Sequence, residues 1–568
     1  MLIWFESHRE VYWWLVCAVI CVQLFFMLRS FLRPSCGDIK KADWWWGCAI
    51  LGLLVAGRWP SWWLSRVLNA DENFLIAGAN TLRHDPIFWR SVDGGTSGPL
   101  NFYALLPIGS ILGFENHLAA RITATLLLAL ALTFAYQTLA VVFGRPLARI
   151  CIFPVTCVEA LSLDTDYLHY STELVSICLL AGAFYLFTRR VVVGPDRRRN
   201  VIAGFALGAV PWAKLQGAPI AVALGIFWLI WELFPAKRLA PGNNQNGAFP
   251  LVLGALAPAF AGALFLTAYG LWPYVIVSYF ENNVAYAGTE GPTLYSILGE
   301  LWKNADYETS LLTEWGLGTL LLLVLLLPLG KTVTATTRVL SAAVVVYLLA
   351  SLVSVLWPHR PFLHYTQFAI VPWTLFVGFM VGQTIQNLSE QNRVVRCALL
   401  SATMLCGVGG VLYARADQPG PETSRLAGGA ARTQSLVARE LKRYTHKGDS
   451  LAVWGWMSHF HVETGLPQAA RRSVTSSEIS EGPLRDYYRQ IYLEDLTRSE
   501  PAVFVDATGP GNFAYNSRDY SFERIFPALT HYIHLHYVLA GEVQSCRIYV
   551  RNDRWTALMK PQPESAHP

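Results

Sequence analysis

The sequence predicts a polytopic α-helical membrane protein of roughly 11–13 transmembrane helices, with a C-terminal α/β domain on its outward side. Three observations predict it. Of 568 residues, 53% are hydrophobic and only 15% are charged; soluble domains carry charge on about a quarter of their residues. Apolar runs repeatedly reach the ~17–25 residues that a helix needs to cross a bilayer. From about Ala416 the long apolar runs stop, and short strand and helix patterns replace them. The expected division is therefore a transmembrane domain over 1–415, with a first large outward loop at 65–116, and an α/β domain over 416–568.

Spans are expected near 11–32, 44–64, 117–143, 147–163, 171–188, 200–216, 218–235, 249–271, 316–330, 339–357, 364–386 and 394–414. The first run is too long for a signal-peptide core and lacks a small-residue cleavage site, so no cleavable signal is expected. "LNFYALLPIGSILG" at 100–113 is too short to cross and reads as a re-entrant or interfacial piece.

Basic residues in alternate short loops set the orientation. Arg29, Arg33, Lys40 and Lys41; Arg145 and Arg149; "RRVVVGPDRRR" at 189–199; Lys237 and Arg238; Lys331 and Arg338; and Arg393 and Arg396 mark one set of loops as cytoplasmic. The other set faces outward and is richer in acids: Asp71, Glu72, Asp85, Asp93, Asp164, Asp166, Glu281, Glu290, Glu300, Asp306 and Glu308. Arg58, Arg121, Glu159, Glu173, Lys214 and His364 crowd the outer ends of spans, so polar chemistry gathers at one membrane face. Among them, Arg58 and Arg121 read as interfacial anchors.

A net charge of +5, with no basic tail or RNA motif, gives no reason to expect a nucleic-acid partner. The ten Cys are scattered, mostly in apolar runs, with neither a disulfide framework nor a zinc spacing. In the C-terminal region "QPGPETSRLAGG" reads as a linker and "SLVARELKRY" as a helix; 450–456, 501–508 and 545–552 read as strands. "SHFH" at 458–461 and "HYIHLHY" at 531–537 invite a metal reading, but no Cys or acid completes a ligand set, and surface or packing histidines are the alternative.

The first outward loop, opening "LNADENFLIAG", carries the candidate chemistry. Asp71 precedes Phe74, Leu75, Ile76, Ala79 and Leu82, which form one apolar face, so Asp71 reads as the N-cap of an interfacial helix. A capped helix at the surface also fixes an acid there. Asp93 opens the turn "DGGTSGP". A second polar patch, "SLDTDYLHYSTELVS" at 162–176, presents Asp166, His169, Tyr170 and Glu173. Lys214 in "PWAKLQG" and His359, Arg360 and His364 in "WPHRPFLHYTQFAIVPW" supply cations on the same face, although snorkelling or simple solvation would also explain them.

This pattern resembles the GT-C superfamily of integral-membrane glycosyltransferases, in particular bacterial members related to protein O-mannosyltransferases and the lipid A aminoarabinose transferase. Asp71–Glu72 occupies the place of the acidic pair opening the first external loop. Asp93 with Gly98–Pro99–Leu100, "AARI" at 119–122, the late motif ending in His-Tyr and Pro, and "AVWGWMSHFHVETGLPQAAR" resemble further motifs. The span 11–32 departs from the pattern, either as an addition or as one span too many in the count.

The resemblance implies a sugar donor carried on a polyprenyl phosphate and transfer with inversion by single displacement, at the outer face of a bacterial inner membrane. The acceptor would be a glycan, lipid or protein of the envelope. Asp71 would be the base, with Glu72 or Asp93 positioning it or the acceptor. Lys214, His359, Arg360 and His364 would hold the phosphate, because cations are needed where negative charge develops. Asp166, His169 and Glu173 would contact substrate or an ion; a divalent cation is left open and not required. A transporter or flippase of lipid-linked sugars is the main alternative, but it predicts midplane groups and internal repeats that the sequence does not show. A non-catalytic scaffold with an outward domain is the other.

Overall fold

The computed structural model describes residues 8–32, 43–64, 67–162, 164–234, 247–288, 293, 295–296, 298–299, 334–387 and 434–559. The expected spans 316–330 and 394–414, the linker at 418–429, the 415/416 boundary, and Glu290, Glu300, Asp306 and Glu308 lie outside the described residues. Within them the long helices of the first part run α1 Arg9–Leu32, α2 Trp44–Trp62, α3 Ala70–His84, α4 Leu118–Phe143, α5 Arg145–Leu161 and α6 Leu174–Val192. They continue as α7 Arg197–Ala213, α8 Ala218–Leu233, α9 Ala248–Ala268, α10 Ala335–Leu356 and α11 Gln367–Asn387. Among the described residues, 7 helices are long and apolar enough to cross a membrane: those of α1, α4, α6, α8, α9, α10 and α11. The spans expected at α2, α5 and α7 are helices of 19, 17 and 17 residues. The protein is a multi-pass membrane protein. The piece 100–113 forms two short helices, Pro99–Tyr103 and Leu106–Leu112, each with proline in its first turn.

The helix α4 packs against α2, α5 and α6. The backbones of α7 and α9 approach closely: a Cβ on Gly204 would stand 2.1 Å from the Leu251 carbonyl oxygen, and one on Gly208 2.0 Å from that of Ala255. In lipid no hydrophobic effect drives helices together, so small residues that let backbones touch supply the packing.

Arg58 and Arg121 are not interfacial anchors. They are 2% and 0% exposed, because each finds a carboxylate on a neighbouring element. Arg58 donates to the Glu159 carboxylate and carbonyl, both at 2.8 Å, and Arg121 pairs with Glu72. A second buried network lies at the helix ends on the opposite face. There Arg190 grips Glu232 at 2.6 and 2.9 Å, and Asp43 accepts from Tyr136 at 2.7 Å and Arg149 at 2.8 Å.

The C-terminal region contains α12 Leu436–Tyr444, β1 Leu451–Trp454, α13 Arg485–Ser499, β2 Val503–Asp506, α14 Pro527–His536, β3 Tyr537–Val543 and β4 Cys546–Arg551. The strand order is β1-β2-β4-β3, with β1 and β2 parallel and the other pairings antiparallel. Alternate residues feed two cores: Ala452, Trp454 and Phe504 on one face, and Leu451, Val453, Val503 and Val505 on the other. The strand β3 was not among the expected strands. It joins β4 through Gln544 and Ser545, whose φ of 49° and 58° meet the demand of a two-residue hairpin without the Asn-Gly that usually signals one.

Candidate functional site

The site begins with a capping residue. Asn69, not Asp71, is the N-cap of α3: its side-chain oxygen accepts from the Asp71 backbone N–H at 2.9 Å. Its amide also donates to Asp166 Oδ1 at 2.9 Å, tying the first loop to the second polar patch. Asp71 therefore sits in the first turn, half-buried, where the helix dipole favours an anion. Among the described residues its carboxylate makes no hydrogen bond or ion pair.

Asp166 is the junction of three segments. The short helix Thr165–Leu168 is capped by Asp164, which accepts from the Asp166 N–H at 2.7 Å. His364 Nδ1 lies 3.2 Å from Asp166 Oδ2, the His364 backbone N–H donates to the same oxygen at 3.2 Å, and Gln367 donates to the Asp166 carbonyl at 2.6 Å. The His169 ring stands 5.9 Å from that of His364. Burial pushes the Asp166 carboxyl up, but His364 and then His169 and Asn69 outweigh it and hold it well below the usual carboxylate range.

Lys214 is placed by a broken helix. With Pro211 in its last turn, α7 stops at Ala213; Lys214 turns extended and pairs with Ser97 in an isolated bridge. The freed Ala213 carbonyl accepts from Gly98 N–H at 2.8 Å and Asn101 Nδ2 at 2.9 Å. Lys214 Nζ donates to Thr172 at 2.6 Å and to Glu173, and lies 4.8 Å from the centre of the Tyr365 ring. The Tyr365 and Tyr286 hydroxyls are 3.1 Å apart, and the Arg360 guanidinium lies 5.0 Å from the centre of the Tyr286 ring. The Asp71 charge acts on both hydroxyls. Burial above all raises the Tyr286 phenol. His359, at φ 52°, begins the late segment.

Two sequence candidates stand elsewhere. Glu72 is fully buried in a two-point pair with Arg121, at 3.3 and 3.0 Å, and accepts from Tyr170 N–H at 3.2 Å. Arg121 further donates to the carbonyls of Ser61 at 2.7 Å and Leu64 at 2.6 Å. Burial would raise Glu72, but the Arg121 and His117 charges hold it below its ordinary value. Asp93 lies against the C-terminal region: its N–H donates to the Arg471 carbonyl at 2.6 Å, and Arg472 and Arg471 face its carboxylate. The structure thus gathers Asp71, Asp166, His169, Glu173, Lys214, Arg360 and His364 at one end of the helices, while Glu72 is engaged by Arg121 and Asp93 by the C-terminal region.

Asn69 and Tyr286 were missed. Asn69 carried a signal, since Asn is a favoured cap. Tyr286 carried none: it follows a π-helical stretch, Ile276–Glu281, which rotates the helix face and defeats regular periodicity. Among the described residues no group of His, Cys, Asp or Glu is arranged to hold a metal ion.

The architecture has known counterparts. The chain superimposes on the crystal structure of ArnT from Cupriavidus metallidurans bound to undecaprenyl phosphate, with a TM-score of 0.54 at 12% identity, over 92% of this chain and 100% of that one. It also matches the oligosaccharyltransferase AglB from Archaeoglobus fulgidus in complex with an inhibitory peptide and a dolichol-phosphate, at a TM-score of 0.42 and 12% identity, over 92% of this chain and 75% of that one. No family model and no curated protein sequence matches. The class is a multi-pass membrane protein, and its fold is that of the ArnT structure.

Proposed function

We propose that this protein transfers a sugar from a polyprenyl-phosphate carrier to a hydroxyl of an envelope glycan, lipid or protein, at the periplasmic face of the bacterial inner membrane. The observation that carries the reading is Asp71: a carboxylate fixed in the first turn of α3 and unengaged among the described residues, beside a tyrosine pair flanked by Lys214 and Arg360. ArnT in its crystal structure is bound to undecaprenyl phosphate, a lipid of the class proposed here for the donor.

In this reading the acceptor hydroxyl gives its proton to Asp71 as its oxygen bonds to the anomeric carbon. The bond from that carbon to the phosphate oxygen breaks on the opposite side, inverting the centre. The departing phosphate takes the electron pair, and Arg360, Lys214, His359 and His364 offset its charge. Asp166, His169 and Glu173 hold the cations in place. Basic loops at the other helix ends make this face the outer one, where a lipid-linked donor replaces nucleotide sugars.

The test uses the purified full-length protein in nanodiscs with a synthetic polyprenyl-phosphate hexose and envelope extract as acceptor. Asp71→Asn is expected to lower turnover by ~10²–10⁴ with little change in the melting temperature, since among the described residues that carboxylate holds no other side chain and loses only its dipole term. Transfer at the wild-type rate in this variant overturns the assignment.

A further inference from the structure

The seam between the first loop and the C-terminal region encloses charged groups that the transfer step does not use. Arg471 and Arg472 lie side by side in "QAARRSVTSSE" with different surroundings. Arg471 is held by Asp495 at 2.9 and 3.0 Å and donates to the Trp89 carbonyl at 3.2 Å. Arg472 lies 4.3 Å from the centre of the Tyr488 ring, donates to Ser477 at 3.1 Å, and faces both Asp93 and Glu478. Asp93 and Glu478 are each 1% exposed. Asp93 Oδ1 accepts from Gly95 N–H at 2.9 Å. Glu478 Oε2 and Trp456 Nε1 have no hydrogen-bond partner among the described residues, while Ser278 stands within reach of both Asp93 and the Tyr488 hydroxyl.

A buried acceptor left unpaired costs about 1–3 kcal/mol, more for a charged group, and native folds keep few of them. Here Glu478 Oε2 is one, facing the Arg472 guanidinium. The place of the seam in the fold is a second, independent observation. Trp456 follows the carboxyl end of β1, and Phe513 lies in the loop after the carboxyl end of its parallel neighbour β2. Crevices at the carboxyl ends of parallel strands are where open α/β sheets take ligands. The two rings meet edge-on, 5.6 Å apart, and Phe513 is 55% exposed. Tyr515, in the same loop, reaches Arg472 and Glu478 electrostatically, which joins the crevice to the seam.

The chemistry selects the ligand. Two carboxylates repel an anion, and Arg472 repels a bare cation. Neighbouring hydroxyls suit the site, because each donates to a carboxylate or phenol oxygen while accepting from the guanidinium or the indole N–H. Apolar sugar C–H faces pack on aromatic rings. We propose that this seam is a saccharide subsite that holds a neutral sugar unit of the acceptor. The assignment rests on the glycosyl-transfer reading and deepens it.

The test is saturation-transfer NMR on the full-length protein in nanodiscs, with maltose, lactose, α-1,2-mannobiose and diacetylchitobiose as probes, followed by turnover measurements. At least one disaccharide is expected to bind. Glu478→Gln should weaken it about ten-fold, the size of a lost hydrogen bond to a charged group, and Phe513→Ala, at an exposed side chain that the fold does not need, several-fold. Asp71→Asn should leave it unchanged. Binding by none of the four, or equal binding by both seam variants, overturns the subsite. In turnover, an acceptor KM unaltered by both variants overturns it as well. Absence of donor turnover with binding intact would instead defeat the transferase reading and leave a sugar-binding seam.

Discussion

Adjacent acids with opposite surroundings show how one position decides a role. Asp71 and Glu72 differ by about 100° around α3. That rotation leaves Asp71 beside the tyrosine pair and drives Glu72 into contact with Arg121 and Tyr170 N–H. Glu72→Gln leaves a buried guanidinium uncompensated and is expected to destabilise the protein by about 3–5 kcal/mol, read as a lower melting temperature in detergent. A variant that melts normally but has lost turnover would make Glu72 a participant in the chemistry. The Asp71→Asn outcome is the reverse, lost turnover on an unchanged fold, so the two variants together separate reaction from support.

Elements place these residues, and their contacts make further expectations. The approach of α7 to α9 carries Lys214 to its position, since α7 ends one residue before it. Gly208→Ala would drive a Cβ to 2.0 Å from the Ala255 carbonyl oxygen, which overpacking data put at about 1–3 kcal/mol; an unchanged melting temperature would show that the helices slide apart without cost. At the docking of the C-terminal region on α3, Asn80 donates to the Gly465 carbonyl at 3.0 Å and Gln468 N–H to Thr81 at 3.0 Å. Burial pushes the nearby His461 imidazole down to about 4. The folded state therefore keeps this ring neutral while the unfolded chain binds its proton from about pH 6.5 downwards. Its contribution is whole above about 6.5 and is lost as pH falls towards 4, by roughly 3 kcal/mol at the limit. His461→Gln should flatten that acid limb in a melting-temperature profile, even if it lowers the plateau.

At the scale of the molecule, the two polar ends of the helices keep separate company. One end gathers Asp71, Lys214, Arg360 and His364; the other gathers Asp43, Arg149, Arg190 and Glu232. Single cysteines at 71 and 360 in a cysteine-free background should be labelled by an impermeant reagent from the outside, and one at 198 only after permeabilisation. Labelling of 71 and 360 from opposite sides would dismantle the proposed function, because one phosphosugar could not meet both groups.

The sequence by itself determined that the chain crosses a membrane many times, where most helices lie, and that acids and cations share a face. Hydropathy and loop charge are sums over many residues, so local accidents hardly disturb them. Only the tertiary structure decided which acid stays unengaged, that Asn69 rather than Asp71 caps α3, that Arg58 and Arg121 are buried partners, and that Asp93 turns towards Arg472. Pairing depends on which helices become neighbours and on rotations of a residue or so about their axes. The π-helical stretch before Tyr286 and the Gln544–Ser545 turn alter such rotations through backbone geometry that no composition or periodicity reveals.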